Sequence, residues 1–260
     1  MNYKVGIVGF GHVGGIMKQL FTDAVIYDEP KNIGTKEEIN SCGFVFVCVP
    51  TPMAEDGRCD TSIVDNVLSW LNPKECIIIR STVPVGYIHS KCAYNHRDII
   101  FQPEYYGETI KHPFANPHNR SWVTLGGAIN ATSKVAELYK TVFTSELIIN
   151  QVDSTTAELA KYMENCFYAT KVTFCNEFYN IAEKMGVDYN QLRETWLLDP
   201  RIGRSHTFVY PDNRGYGGSC LPKDISAMIY QAEQNEVDVT LLEAVRNKNS
   251  MIRWENHNDR

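Results

Sequence analysis

Residues 4–15 read Lys4-Val5-Gly6-Ile7-Val8-Gly9-Phe10-Gly11-His12-Val13-Gly14-Gly15. A short apolar run therefore leads directly into the pattern Gly-x-Gly-x-x-Gly, and an amphipathic segment to about Phe21 follows. The next apolar run, 24–27, ends in Asp28. This order of strand, glycine turn, helix, strand and acid is typical of the first unit of a dinucleotide-binding domain.

The glycines of such a turn have separate tasks. Gly9 permits the tight turn, Gly11 lets a pyrophosphate approach the backbone, and Gly14 lets the helix pack on the strand. The helix N-terminus, at His12 and Val13, then faces the phosphates. A glycine-rich turn in an unrelated α/β protein is the alternative interpretation.

The acid after the second strand bears on the choice of cofactor. Asp28 is placed to bind the ribose hydroxyls and to repel a 2′-phosphate, which favours NAD over NADP. Lys31 lies close by in the sequence and leaves NADP open as an alternative.

The chain divides into two parts of different character. Up to about Asn150, short apolar runs alternate with helical patterns, which predicts a parallel sheet with crossover helices. The later strand candidates are Phe44–Val49, Cys76–Arg80, Ile99–Phe101, Trp122–Leu125 and Leu147–Ile149. We predict an α/β protein in which an NAD-binding, Rossmann-type doubly wound sheet, residues 1–150, precedes an all-α domain, residues 151–260.

The second part is predicted to be built on one long central helix. From Ser154 to about Met185 apolar residues recur at helical spacing without proline or glycine, and Gly186 then ends the helix. A loop of roughly twenty residues near residues 200–220 is long enough to suggest a function. The other helices predicted in this part are Tyr189–Leu198, Lys223–Gln234 and Val239–Trp254.

Composition excludes several classes of protein. The 260 residues carry a net charge of −6, which argues against nucleic acid as a partner. No apolar run approaches the roughly 20 residues that span a bilayer, so we expect no membrane segment. The eight cysteines form no Cys-x-x-Cys pair, so no metal site is expected. No signal-peptide pattern is seen, and we expect a cytoplasmic protein with reduced thiols.

Cys220 has a setting unlike that of the other cysteines. It lies in Tyr216–Asp224, where Gly-Gly precedes the thiol and Lys-Asp follows it. Glycines let a substrate approach closely, and a nearby cation stabilises the reactive thiolate. Free cysteines are more often small buried hydrophobes. We interpret six others in that way: Cys42, Cys48, Cys76, Cys92, Cys166 and Cys175.

These features, together with further motifs, resemble the UDP-glucose/GDP-mannose dehydrogenase family. The resemblance covers nearly all of the chain, in order. It implies that a nucleotide sugar is oxidised at its C6 hydroxyl to a carboxylate, with two NAD and one cysteine. The additional motifs are Val49–Pro52, Arg80–Gly86, Gln102–Glu108, Glu158–Asn165, Asn176-Glu177 and Asp199–Gly203.

The resemblance implies catalytic roles residue by residue. Cys220 attacks an aldehyde to give a thiohemiacetal, whose oxidation yields a thioester. Lys161 and Asn165, four positions apart on one helix face, donate to the oxyanions. Asp224 holds a water for proton transfer, with Thr82 as its partner.

Other positions are implied with alternatives. Either Glu104 or Glu108 is the base that hydrolyses the thioester. Arg201 reaches substrate in a neighbouring subunit or makes a surface ion pair. Aromatic rings at 105 and 106 stack on a sugar or base, or simply pack. The resemblance assigns Pro50, Thr51 and Thr82 to NAD, and Tyr105, Tyr106, Gly107, Arg201 and Gly217 to the substrate.

The sequence also departs from the family. Family members usually continue into a further domain that binds the nucleotide, whereas this sequence ends at the helix before it. We therefore expect weak affinity for nucleotide sugars, or a separate chain that supplies such a domain. The Tyr105–Gly107 segment also replaces the more usual Phe-Leu-Ala or Phe-Leu-Arg.

The long helix carries more apolar surface than an exposed rod tolerates, so either the last two helices cover it or its twin pairs with it. The resemblance implies both, and a homodimer is expected.

Three functions remain open. They are a nucleotide-sugar 6-dehydrogenase, a two-electron hydroxy-acid dehydrogenase, and an NAD-binding partner subunit without full activity.

Overall fold

The computed structural model describes residues 3–95, 97–106, 116–143 and 146–258. They fall into two compact units. The first unit contains residues up to Pro52 together with Cys59–Lys161, and the second contains Met53–Arg58 and Tyr162–Arg260. The boundary between the units thus falls after Lys161, whereas the character of the sequence changes near residue 150.

In the first unit, strands alternate with helices, as the sequence predicts. The strands are β1 (Val5–Val8), β2 (Val25–Tyr27), β3 (Phe44–Val47), β4 (Cys76–Ile79), β5 (Ile99–Phe101), β6 (Trp122–Gly126) and β7 (Ile148–Val152). The helices that follow or connect them are α1 (His12–Leu20), α2 (Lys36–Asn40), α3 (Ser62–Trp70), α4 (Tyr87–Asn95) and α5 (Ile129–Tyr139).

The described strands form one seven-stranded sheet in the order β2-β1-β3-β4-β5-β6-β7. The chain runs from β1 outward to β2 and then back past β1 to β3, so the switch point of the sheet lies between β1 and β3. The sheet is not wholly parallel, which corrects the sequence prediction: β6 is antiparallel to β5. A parallel connection needs a crossover, usually a helix, and the described residues between these strands form only a 3-10 turn at Pro117–Asn119.

Both faces of the central strands are buried, which explains their continuous apolar runs. Within β1, Ile7 packs with the core on the side of α1 and α5, and Val8 packs with the core on the side of α3 and α4. Phe46 and Val47 of β3 divide in the same way. This is the pattern of a parallel sheet covered on both faces, and it confirms the predicted doubly wound fold.

The second unit is helical apart from its loops. It contains the rest of α6 (Ser154–Lys184), then α7 (Tyr189–Trp196), α8 (Leu221–Gln234) and α9 (Thr240–Asn258). Gly186 has φ +70° and follows α6, so the predicted long helix and its end are confirmed. One apolar core joins Cys166 and Ala169 of α6 to α8 and α9 through Ile225 and Val245.

In the described part of the chain, no helix is both long enough and apolar enough to cross a membrane.

Candidate active site

The predicted cofactor residues follow the carboxyl ends of neighbouring strands in the first unit. The turn that begins at Gly9 follows β1, Asp28 follows β2, Pro50 and Thr51 come after β3, and Thr82 comes after β4. Because β1 to β4 are parallel neighbours, these ends share one edge of the sheet, beside the switch point. Ligands of open α/β sheets bind at that edge.

The glycine turn after β1 has the geometry that a dinucleotide requires. Gly9 has φ +90°, and a Cβ there would lie 2.8 Å from a backbone oxygen of the loop after β3. A Cβ at Gly14 would lie 2.0 Å from the carbonyl oxygen of Gly9. Beside Gly11 the Cβ position has open space among the described atoms. That space fits the pyrophosphate of NAD, which the N–H groups of the first turn of α1, from His12 and Val13 onward, would bind.

Asp28 orders this turn from the end of β2. Its carboxylate accepts hydrogen bonds from the N–H of Phe10 at 2.7 Å and from the N–H of Lys31 at 3.0 Å. The ammonium of Lys31 donates to the carbonyl oxygen of Phe10. The carboxylate of Asp28, which is predicted to bind the ribose, therefore also fixes the glycine turn. The ammonium of Lys31 is bound to the same turn.

We expect Asp28→Asn to shift the preference from NAD toward NADP by about tenfold. The substitution removes the charge that repels a 2′-phosphate but keeps an oxygen to accept the N–H of Phe10. Calorimetric Kd values for both nucleotides measure the ratio, with the exposed Asp23→Asn as control. An unchanged ratio in Asp28→Asn would contradict the role of Asp28 in cofactor choice.

Glu158 of α6 holds the turn that follows Thr82. One oxygen of its carboxylate accepts the N–H of Gly86 at 2.6 Å, and the other accepts the N–H of Ile88 at 2.9 Å. Glu158 is 0% exposed, and its burial raises the pKa of the carboxyl to about 7, although the two N–H donors lower it. A titratable group thus caps the start of α4, close in the chain to a predicted NAD residue.

This raised pKa predicts a pH dependence of stability. The folded state holds the Glu158 proton more tightly than the unfolded state, whose carboxyl titrates near 4.5. Stability is therefore lost as the pH rises from about 4.5 through about 7. Glu158→Gln cannot ionise. From pH 5 to pH 8 the wild type should lose on the order of 2 kcal/mol of unfolding free energy relative to this variant.

Urea unfolding at several pH values measures this difference, with the exposed Glu37→Gln as control. The prediction concerns the unfolding free energy of the wild type minus that of Glu158→Gln. If this difference stays constant with pH, or grows as the pH rises, the raised pKa is ruled out.

Lys161 lies at the end of the first unit and is 8% exposed. Its ammonium donates to the carbonyl oxygen of Glu104 and lies 5.0 Å from the ring centre of Tyr105. The carboxylate of Glu104 is bound through one oxygen by the guanidinium of Arg80 and through the other by the N–H of Tyr106. Lys161 therefore reaches the loop after β5, in which Glu104 is tightly held.

The aromatic residues of that loop are packed. The guanidinium of Arg120 lies 5.1 Å from the ring centre of Tyr105 and 5.0 Å from that of Tyr106. Tyr106 is buried, so packing, one of the two expected roles, is present for this ring. The other predicted residues here, Gly107 and Glu108, lie outside the described residues.

In the second unit, Cys220 is the N-cap residue of α8 and its thiol is exposed. The side-chain amide of Asn165 donates to one oxygen of the Asp224 carboxylate, and both residues are buried. The ammonium of Lys223 lies 2.7 Å from the other oxygen of Asp224. The cation expected to stabilise the Cys220 thiolate is therefore paired with Asp224.

The seven other cysteines are buried or half-buried: Cys42, Cys48, Cys59, Cys76, Cys92, Cys166 and Cys175. Burial raises the pKa of the Cys48 and Cys166 thiols to about 12. These groups stay protonated near neutral pH and are poor nucleophiles, so exposure singles out Cys220.

Two predicted substrate residues of the second unit have protein partners. The guanidinium of Arg201 binds the carboxylate of Asp199, which is the surface ion pair given as the alternative. Gly217 lies against Arg253, since a Cβ at Gly217 would come within 3.0 Å of that guanidinium. Among the described residues, no group of three or more His, Cys, Asp and Glu side chains is placed to hold a metal ion.

Some residues that order the site were given no role from the sequence. Arg80 and Glu158 are the first residues of the motifs Arg80–Gly86 and Glu158–Asn165. Those positions could have indicated that the two residues order the site. Arg120 lies outside them, and its nearness to Trp122 in the sequence is the one signal that could have indicated its contact with an aromatic ring.

Two family models match the chain. Residues 31–143 match the NAD binding domain of the UDP-glucose/GDP-mannose dehydrogenase family, and residues 155–251 match its central domain. The UDP-glucose 6-dehydrogenase of Rickettsia bellii is 33% identical over an alignment of 251 residues, and the match covers 90% of this chain and 55% of that protein. The chain spans about half the length of the curated relatives it matches.

Solved structures show the same fold. A UDP-glucose dehydrogenase from Pyrobaculum islandicum aligns with a TM-score of 0.80 and 23% identity, over 96% of this chain and 68% of that one. The 3-hydroxyisobutyrate dehydrogenase of Mycobacterium tuberculosis aligns with a TM-score of 0.70 and 14% identity, over 95% of this chain and 92% of that one. With its NAD binding domain and central domain both matched, the chain belongs to the UDP-glucose/GDP-mannose dehydrogenase family.

Proposed function

We propose that this chain catalyses the NAD-dependent, four-electron oxidation of the C6 hydroxyl of a nucleotide sugar to a carboxylate. The observation that carries the proposal is the exposed thiol of Cys220 at the start of α8, in a unit where Asn165 and Asp224 form a buried pair. Relatives named UDP-glucose 6-dehydrogenase make UDP-glucose the first substrate to test.

In the first unit, the turn Gly9–Gly14 and Asp28 would hold NAD, together with Pro50, Thr51 and Thr82. Bound there, NAD would supply the hydride acceptor for each of the two oxidation steps. The ammonium of Lys161 stabilises negative charge on the C6 oxygen, because a buried cation acts strongly where little water screens it.

In the second unit, the thiolate of Cys220 adds to the carbonyl carbon of the C6 aldehyde. A C–S bond forms, the C=O π bond opens onto oxygen, and that oxygen takes up a proton to give a thiohemiacetal. Loss of a hydride from carbon and of a proton from oxygen then leaves the thioester. The amide of Asn165 donates to the tetrahedral oxyanion, and Asp224 holds the water used in proton transfer.

Hydrolysis of the thioester completes the reaction. Water adds to the thioester carbon, the C–S bond breaks, and the Cys220 thiolate is released with the carboxylic acid. We propose Glu104 or Glu108 as the base that takes the proton from this water. The base is the one whose glutamine variant accumulates the Cys220 thioester.

For substrate contacts we propose Tyr105, Tyr106, Gly107, Arg201 and Gly217.

The test is a panel of UDP-sugars, GDP-sugars and free sugars incubated with pure protein and NAD. NADH is followed by absorbance, and the product is analysed by mass spectrometry. The proposal expects a sugar acid from at least one nucleotide sugar. It fails if every nucleotide sugar leaves NAD unreduced while the protein still binds NAD.

A second candidate is a two-electron dehydrogenase of a smaller hydroxy acid. The observation that favours it is the fold, which the 3-hydroxyisobutyrate dehydrogenase of Mycobacterium tuberculosis shares. Such an enzyme releases one NADH per substrate and needs no thiol. Binding of NAD without reduction by any sugar or hydroxy acid would instead indicate an NAD-binding partner subunit.

We further propose a homodimer formed through α6. Five apolar side chains in the second unit's part of this helix, and that of Met185 directly after it, are exposed at spacings of three, four and seven positions that place them on one face. They are Met163, Phe167, Phe174, Phe178, Ile181 and Met185. A stripe of this size usually marks an interface, and a two-fold axis lets the same stripe meet itself.

The double variant Met163→Glu with Phe167→Glu should shift the protein from dimer to monomer. Buried glutamates without partners are costly, so the dimer Kd should rise about a hundredfold or more. Sedimentation velocity over a range of concentrations measures it. Leu241→Glu, on α9 and equally exposed to solvent, is the control. A monomeric wild type at high micromolar concentration would refute the proposal.

A further inference from the structure

The backbone that leads to Cys220 is held by a side chain from the last helix of the second unit. The N–H of Tyr216 donates to Oδ1 of Asn249 at 2.7 Å, and Nδ2 of Asn249 donates to the carbonyl oxygen of Tyr216 at 3.0 Å. Asn249 is 6% exposed. One carboxamide thus satisfies both backbone polar groups of Tyr216, as a neighbouring strand would.

Asn176 of α6 holds the preceding residues. Its Oδ1 accepts the N–H of Gly215 at 3.2 Å and Nε of Arg214 at 3.3 Å. Its backbone oxygen accepts Nη2 of Arg214 at 3.1 Å. The loop before Cys220 is therefore tied to two helices through two buried asparagines.

The backbone of Gly215 leaves just enough space for the side chain of Asn249. Gly215 has φ +76°, and a Cβ there would lie 2.6 Å from Oδ1 of Asn249. Only glycine adopts this backbone easily and leaves room for the carboxamide. The contact is thus built into the conformation of the loop.

The position of the Cys220 thiol depends on the contacts that hold the two ends of the segment 216–220. From Tyr216 the chain reaches Cys220 in four residues, two of which are the flexible Gly217 and Gly218. At one end Cys220 is fixed as the N-cap of α8. At the other end the ring of Tyr216 is buried in the core, and its backbone is bound to Asn249.

We propose that Asn249 is a positioning residue that fixes the approach of the Cys220 thiol through the backbone of Tyr216. The catalytic part of this inference rests on the proposed function. Without the carboxamide, two buried backbone groups lose their partners and the segment gains freedom. A displacement of about 1 Å at a nucleophile costs on the order of a hundredfold in rate.

The test compares Asn249→Ala with Asn247→Ala, which removes an exposed asparagine of the same helix. Hydrogen exchange resolved to the amides of Gly215 and Tyr216 reports on the loop, and NADH formation from the nucleotide sugar reports on the reaction. Asn249→Ala should speed exchange at Tyr216 about tenfold or more, with α8 unchanged. Turnover should fall at least tenfold at unchanged NAD affinity. Asn247→Ala should match the wild type.

Asn249→Asp serves if the alanine variant does not fold. It keeps an acceptor for the N–H of Tyr216 but loses the donor, so both effects should be intermediate. Exchange at Tyr216 that stays at the wild-type rate, or turnover of both Asn249 variants equal to that of Asn247→Ala, would overturn the inference. If the wild type itself turns over no sugar, the proposed function fails, and the exchange data alone decide whether Asn249 holds the loop.

Discussion

Cys220→Ala should abolish formation of the sugar acid, with a fall in rate of about a thousandfold or more, as for other catalytic nucleophiles. Without the thiol no thiohemiacetal forms, so the second oxidation has no covalent intermediate from which a hydride can leave. The first oxidation does not need the thiol, and at most one NADH per sugar should appear. NAD affinity should be unchanged because the glycine turn and Asp28 lie in the first unit.

Product analysis by mass spectrometry, together with the NADH yield, measures this outcome. Cys92→Ala, which removes a half-buried thiol of the first unit, is the control and should retain full activity. Cys220→Ser should form an oxygen ester that hydrolyses slowly, visible as added mass on the peptide that contains residue 220. Acid production by Cys220→Ala at the wild-type rate would eliminate the covalent mechanism.

Asn165→Ala should lower kcat by about a hundredfold to a thousandfold, the usual effect of losing an oxyanion donor. The amide of Asn165 is buried and already aligned by its hydrogen bond to Asp224. Its removal leaves one oxygen of the Asp224 carboxylate without that donor, so the variant should also be less stable by about 1–3 kcal/mol.

The effect should fall on kcat more than on KM, because the oxyanion exists only after the thiol has added. Steady-state kinetics at saturating NAD separate the two constants, and thermal unfolding measures the loss of stability. Asn180→Ala, at a half-buried position further along α6, is the control. A rise in KM with kcat unchanged would assign Asn165 to substrate binding instead.

The first βαβ unit could be predicted from the sequence because each of its tasks requires a particular residue. Gly9 and Gly14 stand where the backbone leaves no room for a Cβ, so the fold dictates them locally. The central strands are buried on both faces, and this produces the continuous apolar runs that revealed them. The long helix could also be predicted, because its sequence contains neither proline nor glycine.

The orientation of β6 was not predictable from the same patterns. A strand's apolar run is the same whether it pairs parallel or antiparallel, and only the connection from β5 distinguishes the two.

The contacts that order the site also escaped prediction, because each joins residues that are far apart in the chain. Glu158 meets Gly86 across 72 positions, and Asn249 meets Tyr216 across 33. An isolated glutamate or asparagine in a helix looks like a solvated residue until the fold brings its partner to it. The ion pair of Arg80 with Glu104 is of the same kind, although both residues lie in recognised motifs.

The most direct test of the proposed four-electron oxidation is the number of NADH molecules formed for each nucleotide sugar consumed. Pure wild-type protein, excess NAD and a limiting amount of sugar should run to completion, with NADH read by absorbance and residual sugar by chromatography. We predict two NADH per sugar and a carboxylate product. One NADH per sugar, with an aldehyde or ketone as the only product, would contradict a cysteine-dependent second oxidation.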